Sequence, residues 1–140
     1  MTMLKVTRAF TASAERVFDA WLDEKTAGSW WFATPAGKMA RVEIDPRIGG
    51  KFMIAEQRGE SLAEHFGTFV DLVRPTRIVF DFATEPKEPP TRVTVDIAPR
   101  KDGGCDVTLS HAMSPGWEAY KDRATQGWTM ILDNLAKTVA

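Results

Sequence analysis

The 140-residue sequence predicts an α+β architecture, a curved antiparallel sheet of about six to seven strands wrapped around one long C-terminal helix. Three observations lead there. From about residue 38 to 111 the chain alternates apolar and polar residues between turn signals, as half-buried strands do. From residue 114 onward the apolar residues recur instead at steps of three and four. One or two short helices separate the first strand from the rest.

The first strand is read at residues 3–10, where Leu4 and Val6 oppose Met3, Lys5 and Thr7. Thr11-Ala12-Ser13 then offers hydroxyls to cap a helix that runs to about Glu24, with Val17, Phe18, Trp21 and Leu22 on one face. Lys25 to Phe32 reads as a second short helix or turn, ending in Trp30-Trp31-Phe32. Three consecutive large aromatics cannot share a face of any regular element, so some are expected to meet a cavity, a partner or solvent. Strands follow at 39–44, around Phe52 and Ile54, at 66–73, at 78–82 and through Val93, Val95 and Ile97. Lys101-Asp102-Gly103-Gly104 is a hairpin signal whose return strand places Cys105, Val107, Leu109 and His111 on one face. Ser114-Pro115 is a good helix start, and Trp117, Tyr120, Ala124, Trp128, Ile131, Leu135 and Val139 form one stripe.

Length and composition fit one soluble domain spanning residues 1–140. A formal charge of -1 with scattered basic residues gives no reason to expect nucleic acid as a partner. No run approaches the roughly 18 apolar residues of a membrane span, and no signal peptide is read at the start, so the cytosol is the expected location. The single cysteine, Cys105, forbids a disulfide within these residues.

Several motifs carry a resemblance. They are residues 10–21, Trp30-Trp31, residues 42–52 with Gly49-Gly50, Gly67, residues 75–80 and Gln126-Gly127-Trp128. Taken in this order, the sequence resembles the START-like (SRPBCC) helix-grip superfamily, in the branch of activators of the heat-shock protein 90 ATPase. The resemblance implies the helix-grip fold and a choice among hydrophobic-ligand carriers, cyclases and co-chaperones. Gly49-Gly50 is read as a tight turn, and Gly127 as a point of close helix packing.

No metal or phosphate-binding motif is present, and no cofactor or metal is expected. What remains is an aromatic-rich interior. Its expected lining is Trp21, Trp30 and Trp31 near the start and Phe52, Ile54, Phe66, Phe80, Phe82, Val93 and Val95 from the strands. His111 and Met113 close the last strand, and Trp117, Tyr120, Ala124 and Trp128 come from the final helix. Such a lining suits an apolar, ring-containing small molecule, bound without catalysis. The same side chains also suit a closed core. Two rival readings stand beside it. One is a protein-interaction module or chaperone partner using an exposed Trp30-Trp31 corner. The other is a cyclase or hydrolase with His111 and Tyr120 as acid and base. His65 is expected at the surface, Glu43, Asp45 and Glu56 are candidates to approach one another across strands, and the chain is expected as a monomer or homodimer.

Overall fold

Alternation in the sequence becomes seven strands in one antiparallel sheet. The computed structural model describes residues 2–34, 37–84, 89–113 and 118–139. The strands are β1 (Thr2–Phe10), β2 (Lys38–Ile44), β3 (Lys51–Arg58), β4 (Ser61–Val73), β5 (Arg77–Ala83), β6 (Thr91–Pro99) and β7 (Cys105–Met113). Their spatial order is β1-β7-β6-β5-β4-β3-β2, so the first strand closes beside the last and β2 forms the far edge. Between β1 and β2 come α1 (Ala14–Trp21) and α2 (Glu24–Ala27), and α3 (Lys121–Val139) ends the chain behind a 3-10 turn at Glu118–Tyr120.

Local chemistry sets the helix ends. The Ser13 hydroxyl accepts from the Arg16 N–H at 3.2 Å and starts α1, while the Asp23 carboxylate accepts from the Lys25 N–H at 3.0 Å and starts α2. Val17, Phe18 and Trp21 form the buried stripe of α1, as their spacing predicts. On α3 the buried stripe is Trp128, Ile131, Leu132, Leu135 and Val139. Two contacts tie this helix down: Arg8 Nε donates to Asp133 at 2.8 Å, and Arg16 Nε donates to the Val139 carbonyl at 2.7 Å. The sheet's inner face, carrying Leu4, Phe52, Ile54, Phe69, Ile78, Phe80, Val93, Val95, Val107 and Leu109, packs with these stripes into one core.

Four expectations need correction. Tyr120 is 49% exposed, not part of the interior. It sits in the 3-10 turn, which winds about 120° per residue against about 100° in an α-helix, so the stripe of α3 loses phase before reaching it. The expected helix start at Ser114-Pro115 lies outside the described residues. Phe66 is expected inside but belongs to the outer face, beside Arg41, Lys51 and Asp81 along an open groove of about 870 Å³. The cause is a register shift between Phe69 and Asp71. Counting back in twos from the core-packed Leu72 reaches Phe66, but the bulge flips the parity and turns Phe69, Gly67 and His65 inward. His65, expected at the surface, is therefore buried.

The fourth correction concerns Gly127. A Cβ there would meet nothing within 4 Å, so it marks no close approach. Gly67 does: the Phe52 ring from β3 lies across it, where any side chain would collide. The Gly49-Gly50 turn is as tight as expected, with Gly49 at a φ of 83°.

Candidate functional site

The interior divides into two ringed ends. At the first, Trp21, Trp30 and Trp31 are fully buried. Trp21 meets Trp30 and Trp31 edge-on at 4.8 and 5.2 Å, and Trp31 packs on Phe52 at 4.7 Å and Phe80 at 5.7 Å. Among the described residues none of the three indole N–H groups has a hydrogen-bond acceptor. Each such orphan costs about 1–3 kcal/mol, offset only weakly by the ring faces that edge-to-face packing supplies. Rings packed this closely make a core.

The run Trp30-Trp31-Phe32 turns entirely inward, so it presents no exposed aromatic corner. Phe32 makes this possible by leaving regular backbone geometry, with a φ of 58° that is uncommon for a residue bearing a side chain. Neighbours hold it there. Arg58 Nη2 donates to the Phe32 carbonyl at 3.2 Å, and Arg58 Nε donates to Glu56 at 2.7 Å. Glu56 in turn accepts from the Thr34 N–H at 2.7 Å and the Thr34 hydroxyl at 2.8 Å. Burial alone would raise the Glu56 carboxyl, but the bonds from Arg58 and Thr34 outweigh it and hold the pKa below its ordinary value. Glu56 is thus a latch on the segment before β2. It makes no carboxylate pair with Glu43, which is exposed and bridges to Arg41.

This latch presses Phe32 onto the second end. Its ring stacks on His65 at 3.9 Å and on Phe82 at 5.4 Å, both nearly parallel, and meets Trp128 at 5.8 Å. His111 lies 5.8 Å from Trp128 and 6.0 Å from Phe82, edge-on to both. Five rings from the α2–β2 connection, β4, β5, β7 and α3 therefore converge. Phe82 is only partly buried and forms the lip of the cluster.

The hydrogen-bond partners fix both histidine tautomers. An indole N–H can only donate, so Trp128 Nε1–H gives its proton to His111 Nδ1 at 3.1 Å. The His111 proton then resides on Nε2 and is donated to the Thr91 hydroxyl at 2.7 Å. Thr91 passes its own proton to the Phe82 carbonyl at 3.4 Å. At His65 the partner of Nδ1 is the Ile54 carbonyl at 3.1 Å, which can only accept, so Nδ1 carries the proton. His65 Nε2 has no protein partner among the described residues, but unlike the three indole nitrogens it is not a buried orphan. Burial pushes both imidazoles down to about 4, so both are neutral at physiological pH.

The predicted lining is therefore split. Trp21, Trp30, Trp31, Phe52, Ile54, Phe80, Val93 and Val95 lie in the packed core, with Met113 buried and Ala124 packed beside it. Phe82, His111 and Trp128 meet at the second end. Trp117 lies outside the described residues. Sequence reasoning missed Phe32, His65 and Thr91. The nearest signal was the run Glu64-His65-Phe66, in which only knowledge of the bulge selects the inward residue. An acid–base pair of His111 with Tyr120 finds no support, because both His111 nitrogens are engaged and Tyr120 lies at the surface. Among the described residues no group of three His, Cys, Asp or Glu side chains could hold a metal ion, and no helix is long and apolar enough to cross a membrane.

A curved antiparallel sheet gripping a C-terminal helix, with rings gathered between them, defines the helix-grip class. The chain belongs to the family described as activator of Hsp90 ATPase homolog 1-like protein, whose model matches residues 11–140. Solved structures agree on the fold. A protein from Chromobacterium violaceum is 22% identical with a TM-score of 0.84, covering 99% of this chain and 98% of its own. An AHSA1-like protein from Aeromonas hydrophila is 23% identical with a TM-score of 0.81, over 97% and 90% of the two chains. A protein of unknown function from Staphylococcus aureus is 18% identical with a TM-score of 0.84, over 99% and 93%. No curated protein matches the chain.

Proposed function

We propose that the protein is a non-enzymatic, cytosolic binder of an apolar, ring-containing small molecule, held between the sheet and α3 at the histidine end. The observation that carries this reading is the convergence of Phe32, His65, Phe82, His111 and Trp128, with Phe82 partly open at the lip. Ring faces recognise a flat apolar body, and a few neutral polar atoms orient it. The family name points also to chaperone activation. That alternative has no surface support from Trp30-Trp31, because both rings are buried.

The test is calorimetric titration with a panel of sterols, flavonoids, fatty acids and fused-ring aromatics. Saturable binding of a ring class, weakened about tenfold or more by Phe82→Ala and Trp128→Ala, is the expected result. Saturable binding that both variants leave unchanged would move the site elsewhere, and no binding across the panel would remove the reading.

A further inference from the structure

The outer face of the β3–β4 hairpin carries a surface pattern that neither end of the interior uses. Phe66 stands directly opposite Met53 on β3 and Ala83 on β5, so three apolar side chains form a row across the strands. Met53 and Phe66 are both partly exposed and line the open groove of about 870 Å³. One row away, about 7 Å by strand rise, Lys51 stands opposite Thr68. One row away in the other direction, Glu64 stands opposite Ala55. Neither Lys51 nor Glu64 makes an ion pair among the described residues. Their neighbours do: Arg41 bridges to Glu43 at 2.7 Å and Arg92 to Asp81 at 3.0 Å. The face is therefore an apolar row with an unpaired cation on one side and an unpaired anion on the other.

That balance restricts what can sit on it. A partner of a single charge sign would gain at Lys51 what it loses at Glu64, or the reverse. The fitting partner carries an anion and a cation on either side of its own apolar patch. A second copy of this chain does so by symmetry. Take a twofold axis that lies in the interface and crosses the line from Lys51 to Glu64 at right angles. It sets Lys51 against Glu64 of the partner subunit, Glu64 against the partner's Lys51, and apolar row against apolar row. We propose that the protein pairs with itself through this face, as an isologous dimer closed by two Lys51–Glu64 contacts around Met53 and Phe66. Twelve residues line the groove, fewer than the about 20–30 a side of a standard interface. Exposed ion pairs add little affinity, so the dissociation constant belongs on the order of tens of micromolar, with the monomer prevailing in dilute solution.

The experiment is analytical ultracentrifugation of the intact chain from low micromolar to several hundred micromolar. The mass should rise with concentration from 15.6 kDa toward twice that value. Lys51→Glu and Glu64→Lys should each weaken self-association by roughly tenfold or more, because each sets like charges together at both contacts. Mixed in equal amounts the two variants should associate again, since every contact then joins a glutamate to a lysine. Neither side chain belongs to the core, so both variants should keep the fold. A chain that stays at the monomer mass at every concentration would overturn the proposal. So would a dimer that both charge reversals leave intact, or a mixture of the two variants that fails to recover association.

Discussion

The two ends of the interior use similar rings to opposite effect. At the tryptophan end, three indole donors are buried without acceptors and their rings close on one another at 4.8 to 5.6 Å. At the histidine end each donor has an acceptor, no described side-chain nitrogen or oxygen is a buried orphan and one ring reaches the surface. Aromatic content therefore does not distinguish a core from a site. The polar atoms do, because a core tolerates polar groups that packing forces on it, whereas a site holds them in fixed positions.

Substitutions should separate the ends. Trp31→Ala removes a ring that touches Trp21, Trp30, Phe52 and Phe80, and should cost about 3–5 kcal/mol in urea unfolding. A loss below about 1 kcal/mol would show the tryptophan end to be loosely packed.

Acid should act on the histidine end. Both imidazoles sit near 4 when folded and near 6.5 when unfolded, so between those values the unfolded chain holds more protons. Stability is then complete above pH 6.5 and falls as pH drops toward 4, by on the order of 3 kcal/mol for each histidine. Urea midpoints across that range should show the decline, and His65→Phe should remove about half of it. A flat profile would mean that the imidazoles are hydrated.

The latch comes next in size. Glu56→Ala strands the Thr34 N–H and frees Phe32, and should cost about 2 kcal/mol while weakening ring ligands as well. Loss of stability without loss of affinity would detach Phe32 from the site. Phe66→Ser, on the outer face, should change stability by less than about 1 kcal/mol and leave binding unaltered.

Much of this was legible in the sequence. Strand alternation, the Gly103-Gly104 hairpin and the spacing of Val17, Phe18 and Trp21 were sufficient for the sheet and the first helix. The site was less so, for three physical reasons. A bulge in β4 exchanges the faces of Phe66 and His65, and a single inserted residue leaves no mark in a period-two pattern. The left-handed backbone at Phe32 buries three consecutive aromatics, which no regular periodicity allows. Glu56 looks like any strand carboxylate until the fold brings Thr34 and Arg58 onto it.

The central claim is that the histidine end receives the ligand and the tryptophan end does not. Indole N–H resonances in a ¹H–¹⁵N spectrum report on both ends at once, and 2-naphthol is a suitable probe. A large shift of the Trp128 signal, whose proton is held by His111, is expected, with Trp21 and Trp30 unmoved. Shifts at Trp21 and Trp30 with Trp128 unmoved would contradict it and place the site among the orphaned donors.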